Sequence, residues 1–294
     1  MSAALDSSAG ADNASPLVEE ILTAARNRLS KASFGPPTRE AALLLARVMG
    51  LTEAQLLAHS RDVVPPAAAD EFSSLLERRL TGEPVAYLLQ EKEFFGRPFL
   101  VDSRVLIPRP ETEHLVEFAL EQNLPRSPSI LDVGTGSGCI GLTLALEISA
   151  ARVVATDLSP SALAVASTNA RRLGVTDRVR LVATDLARGL DPTRFDLVVS
   201  NPPYIGHDEA DELSPEVRRF EPATALFSPV DAHRVLERLL TDLQSVKMGT
   251  PLMVEIGFGQ RDKVESLASG SPFELATIRP DYAGIPRVAI FHRR

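Results

Sequence analysis

Four consecutive residues, Asn201, Pro202, Pro203 and Tyr204, follow an apolar run from Phe195 to Ser200 that reads as a β-strand. The two prolines fix φ and remove two backbone donors, so the loop is stiff and its carbonyl oxygens stand free to accept. Asn201 adds a side-chain amide acceptor, and Tyr204 a planar face. A buried Pro-Pro turn closed by a tyrosine is the plain structural alternative. A second group, Gly134, Thr135, Gly136, Ser137 and Gly138, lies between a short apolar run, Ser129 to Val133, and an apolar helix pattern from Ile140 to Ile148. Glycines at alternate positions let the backbone approach a ligand where a Cβ would clash, at the crevice beyond the strand's carboxyl end. Asp157 ends the next strand, where a carboxylate can accept hydrogen bonds from ribose hydroxyls. Asp185, after the third strand, could reach an adenine amino group, although a solvated loop aspartate fits it nearly as well. Together these residues indicate an adenosine-containing cofactor. They leave a dinucleotide and S-adenosylmethionine both open, with the Gly-x-Gly-x-Gly spacing leaning toward the methyl donor.

The elements that must carry these loops alternate. Strands are predicted at Ser129–Val133, Arg152–Thr156, Val179–Val182, Phe195–Val199, Leu252–Ile256 and Val288–Phe291, with helices between them, one opened by Ser159-Pro160. That order implies an α/β fold with a largely parallel sheet covered on both faces. Before it, Leu17, Ile21, Leu22, Ala25 and Leu29, and then Phe72, Leu75, Leu76 and Leu80, repeat at helical spacing between Pro/Gly breakers. The organisation expected is a disordered tail over 1–15, a helical domain over 16–85, a β-hairpin linker over 86–109 and a catalytic domain over 110–294.

With 294 residues, a net charge of −8 and a pI near 5.3, the chain has little general affinity for polyphosphates, so direct nucleic-acid binding is not expected. The basic doublets, Arg78-Arg79 among them, read as solvated element ends. The apolar stretches are broken well before membrane-spanning length, and no secretory leader is recognisable. The single cysteine, Cys139, suits a reducing compartment, and the expected location is cytoplasmic. The five histidines show no metal-ligand spacing, so no metal is expected.

Asn201-Pro202-Pro203-Tyr204 resembles the signature of methyltransferases that modify planar nitrogens of adenine, cytosine or glutamine. Such a nitrogen is a poor nucleophile with two N–H donors. The Asn201 side chain and the Pro202 carbonyl could hold both donors while Tyr204 packs on the plane. Further motifs narrow the resemblance: Gly82 to Leu88, Glu93 to Gly96, Leu106 to Glu113, Asn201 to Ile205 and Phe220 to Leu226. With them the chain resembles the peptide chain release factor glutamine N5-methyltransferase family over about Gly82 to Arg287. The resemblance implies a Rossmann-like S-adenosylmethionine-dependent methyltransferase sheet with a small N-terminal helical domain that helps dock a release factor. The target it implies is the glutamine of a Gly-Gly-Gln loop, with catalytic roles for Asn201, Pro202 and Tyr204 and substrate contacts that include Pro203. It also implies that Leu186 lies beside the cofactor, where some relatives carry an aromatic. Phe227 to His233 departs from a glycine-rich stretch common in the family. A glutamine methyltransferase of a ribosomal protein, and a nucleic-acid amino-methyltransferase, are the alternative activities.

Overall fold

The computed structural model describes residues 15–32, 34–203, 206, 211, 213–227 and 232–294, the side chains of 232 and 233 excepted. The expected tail, save its last residue, lies outside that set, as do Tyr204 and most of the 227–233 segment. The contacts within the chain divide it between Leu89 and Gln90 into two compact units.

The first unit is helical: α1 (Val18–Ala32), α2 (Pro37–Met49), α3 (Glu53–Ala58), α4 (Pro66–Leu80) and α5 (Val85–Leu89). Its punctuation follows from the sequence. Pro37 and Pro66 occupy first helical positions, Gly50 ends α2 at φ +67°, and Thr52 with Gln55 forms a reciprocal capping box on α3. Val18, Leu29, Leu44, Leu45, Leu56 and Phe72 build a common core. Arg79 is not a solvated helix end: it is 1% exposed, donating to both Glu40 oxygens from Nε at 2.9 Å and Nη2 at 2.8 Å. The face explains it, since Arg79 continues the spacing of Phe72, Leu75 and Leu76 into the core.

In the second unit a hairpin comes first, β1 (Lys92–Phe94) and β2 (Arg97–Phe99), turned by Phe95 at φ +51° and Gly96 at φ +71°. Two positive φ values match the twist of a two-residue hairpin turn. Phe94 and Phe99 meet edge-to-face at 6.0 Å and are buried in the core of this unit. Strand pairing stops at Phe99 because the Leu100 backbone is satisfied by a side chain. Leu100 N donates to Asn169 Oδ1 (2.8 Å) and Asn169 Nδ2 donates to Leu100 O (3.0 Å).

The rest is a seven-stranded sheet. Its chain order is α6 (Glu113–Leu120), β3 (Ser129–Val133), α7 (Cys139–Glu147), β4 (Arg152–Asp157), α8 (Pro160–Arg172), β5 (Val179–Ala183) and β6 (Leu197–Ser200). There follow α9 (Pro215–Phe220), α10 (Ala223–Leu226), α11 (Ala232–Asp242), β7 (Pro251–Glu255), α12 (Arg261–Ser269), β8 (Phe273–Pro280) and β9 (Pro286–Arg293). In space the strands run β5-β4-β3-β6-β7-β9-β8; β5 to β7 are parallel, while β9 is antiparallel to both β7 and β8. Burial on both faces fits the continuous apolar runs of the central strands. Ile130, Val153, Leu197 and Met253 pack on one face with α6 and α7, and Leu131, Val198, Leu252 and Val254 on the other with α11 and α12. The sheet is therefore mixed rather than all parallel, and β8 is a strand that the apolar pattern did not mark. Order reverses between β3 and β6, so their carboxyl ends diverge into a crevice. Among the described residues no helix is long and apolar enough to cross a membrane.

Candidate active site

The two motif loops leave from adjacent strands at the switch point. Val133 pairs with Ser200 at the ends of β3 and β6, so Gly134 and Asn201 emerge side by side. A Cβ placed on Gly134 would lie 3.8 Å from the Asn201 carbonyl oxygen. Gly134, Gly136 and Gly138 have φ of +74°, +55° and +87°, a region that L side chains rarely occupy. Gly138 caps α7, and a Cβ there would fall 2.7 Å from Leu142 Cδ1.

Asp157 braces this loop from β4. Its Oδ2 accepts from Gly136 N at 2.9 Å and its Oδ1 from Ser159 N at 2.8 Å, leaving one lone pair on each oxygen. Below the loop, Asp132 Oδ2 accepts from Thr135 Oγ1 (2.6 Å) and Gly141 N (3.0 Å). Burial pushes the Asp132 carboxyl up to about 6 against those two bonds, with the charge of Asp157 adding to the rise. Asn169 ties loop to hairpin: besides Leu100, its Nδ2 donates to Ser137 O at 2.8 Å.

These elements enclose a cavity of about 410 Å³. Gly134, Thr135, Gly136, Ser137, Asp157, Asp185, Leu186, Asn201 and Pro203 all line it, so one wall collects most of the residues singled out from sequence. Gly138 and Pro202 do not; the first caps α7 and the second is buried beside the cavity-lining Asn201. Asp185 meets the cavity already ion-paired to Arg238 of α11. Leu186 sits at φ +55°, its carbonyl accepting from Thr156 Oγ1 at 2.9 Å. Cys139 also lines the cavity, but burial pushes its thiol up to about 12, which leaves no thiolate to act as nucleophile. Among the described residues no cluster could hold a metal ion.

Sequence reasoning did not single out Thr112 at the cavity, nor the buried Glu221 and Glu255 outside its lining. Thr112, at the end of a 3₁₀ turn, lines the cavity and its Oγ1 accepts from Asn201 Nδ2 at 3.3 Å. Glu221, its side chain 1% exposed, accepts from Ile107 N at 3.1 Å and pairs with Arg109, joining the Leu106–Glu113 motif to the Phe220–Leu226 motif. Glu255, 2% exposed, ends β7 outside the cavity lining. Thr112 and Glu221 lay inside quoted motifs, but only their contacts reveal a role.

The glycine cradle, the free lone pairs of Asp157 and the size of the cavity fit an adenosine-bearing methyl donor, and the fold and site define a Rossmann-like methyltransferase. Residues 20–89 match the family described as PrmC N-terminal domain, and residues 112–220 the Methyltransferase small domain. A release factor glutamine methyltransferase of Cereibacter sphaeroides is 41% identical over 92% of this chain and 96% of its own length. Its namesake from Bordetella pertussis is 43% identical over 88% of this chain and 96% of its own. The chain belongs to the release factor glutamine methyltransferase family. A methyltransferase from Pyrococcus furiosus shares the fold, with a TM-score of 0.51 at 17% identity over 75% of this chain and 98% of that one.

Proposed function

We propose that this chain methylates N5 of the glutamine in the Gly-Gly-Gln loop of peptide chain release factors, with S-adenosylmethionine as donor. The observation that carries the reading is the setting of Asn201. It stands beside the glycine cradle and lines the cavity, with Nδ2 donating to Thr112 Oγ1 and no hydrogen-bond partner for Oδ1 among the described residues. When bound, the donor supplies an electrophilic methyl group on a sulfonium.

This chain's residues act on the amide. Asn201 Oδ1 and the Pro202 carbonyl are assigned its two N–H groups, which fixes the nitrogen and keeps both donors satisfied away from water. Tyr204 is assigned the amide face on the strength of the sequence signature alone. Held in register, the nitrogen gains what orientation can supply, up to roughly 7–11 kcal/mol. No strong base is needed beforehand, because the nitrogen becomes acidic only as it gains the methyl and sheds its proton afterwards. Asp157 and the glycine loop are assigned the donor's adenosine, with Asp185 and Leu186 at its base. The helical unit is assigned to docking the release factor, and the proposed location is that of this substrate, the cytoplasm. The net charge of −8 supports a protein substrate over a nucleic acid.

The test incubates the chain and labelled methyl donor with purified release factors, ribosomal proteins, or RNA and DNA, then maps the label by mass spectrometry. Label on the Gly-Gly-Gln glutamine is expected. Label confined to a ribosomal protein or to a base would replace this reading.

A further inference from the structure

Asp185 and Arg238 meet at the cavity as an unlike pair. Asp185 lies just past β5, Arg238 stands on α11 one turn after Val235, and all three residues line the cavity together with Leu186. Nη2 of Arg238 donates to Oδ2 of Asp185. The Arg238 and Asp185 side chains remain 47% and 38% exposed, and an ion pair so open to water contributes little to folding. Stability alone does not account for such a pair on the cavity wall.

The main chain that carries Asp185 is tightly held. Asp185 O accepts from Arg188 N at 3.1 Å, Arg188 O accepts from Thr184 Oγ1 at 2.8 Å, and the Leu186 carbonyl accepts from Thr156 Oγ1 at 2.9 Å. Leu186 itself sits at φ +55°. A non-glycine residue keeps a left-handed φ only where its surroundings impose it, and such positions gather at ligand sites. With the backbone fixed, the Asp185 carboxylate retains only side-chain rotation, and the bond from Arg238 takes that away.

The tether leaves one oxygen in use and one to spare. Oδ1 of Asp185 has no hydrogen-bond partner among the described residues, and an ionised carboxylate oxygen only accepts. The exocyclic amino group of adenine is a donor, so it is the part of the methyl donor's base that such an oxygen selects. We propose that Arg238 is a positioning residue for donor recognition: by holding Oδ2 of Asp185 it keeps Oδ1 available to the adenine amino group. This inference rests on the assignment of Asp185 to the donor's base and asks nothing of the glutamine target.

The test measures, by calorimetry on the full chain, the affinities of S-adenosylhomocysteine and of its 6-deamino analogue, in which hydrogen replaces the amino group. The ratio of the two isolates the amino contact, because a general disturbance of the cavity weakens both ligands alike. Wild type is expected to prefer the adenine compound roughly 10- to 150-fold, the range for a bond to a charged acceptor. D185A abolishes the preference. R238A lowers it roughly 5-fold, within the range of coupling between contacting polar groups, while the deamino analogue binds within about twofold of wild type. R238K, which keeps one cationic donor beside Oδ2, restores most of the ratio, and the D185A/R238A pair matches D185A. An R238A ratio equal to that of wild type, whether both ligands weaken together or neither does, overturns the inference and leaves a plain ion pair at the rim; the base assignment then stands if D185A still loses the preference. If wild type shows no preference, or D185A retains it, Asp185 does not hold the base, and the assignment and the inference fall together.

Discussion

Replacing Asp157 with alanine separates two jobs that one carboxylate performs. The side chain has about four lone-pair positions; Gly136 N and Ser159 N take one on each oxygen, and two remain at the cavity wall. Each bond from a donor hydroxyl to a charged acceptor is worth about 1.5–3 kcal/mol, so losing one weakens donor binding roughly 10- to 150-fold. The glycine loop also loses its brace, because Gly136 N and Ser159 N are left without that acceptor, and the free protein should melt lower. Asparagine is not a neutral control: its NH2 group would face one of the two backbone N–H groups. Calorimetry with S-adenosylmethionine, beside melting of the free protein, reads both effects. A lowered melting temperature with donor affinity unchanged within about twofold would show that Asp157 only braces the loop, and the adenosine assignment would be wrong.

Two further outcomes follow from the buried charges. Arg79→Ala strands Glu40 in the helical core and should destabilise that unit by about 3–5 kcal/mol, read as an early melting transition; an unchanged melt would mean the pair contributes nothing. Asp132 sits at about 6 in the folded chain, above its unfolded value of roughly 3.9. Its proton is retained by the native state between those values, so it lowers stability as pH rises from 4 to 6. Asp132→Asn should flatten that part of a melting-temperature profile, and a profile unchanged from wild type would contradict the burial argument.

What could be read from sequence was local. The glycine loop, Asp157 and the Asn201 loop each end a strand, and a parallel sheet with one reversal of order brings such ends together, so the cavity wall follows from strand assignment alone. The partners that fix those residues are distant in the chain. Thr112 and Asn201 are 89 residues apart, and Glu221 and Ile107 are 114 apart. No periodicity encodes such pairs. The end of the hairpin at Phe99 was equally hidden, because Asn169, 69 residues from Leu100, takes over its backbone bonds. Arg79 is a different case: its helical spacing from Phe72 and Leu76 announced a core position, and the weight given to residue type concealed it. β8 escaped because its exposed edge positions, Glu274 and Thr277 among them, dilute the apolar alternation.

The claim on which the account turns is that Asn201 holds the target amide. Asn201→Ala, assayed in single turnover with an intact release factor at saturating donor, tests it most directly, with donor affinity measured on the same preparation. One preorganised polar group is worth on the order of 10²–10³ in rate. The expected result is a loss of that size with donor affinity largely intact. A variant that keeps more than about a tenth of the wild-type rate would contradict the claim.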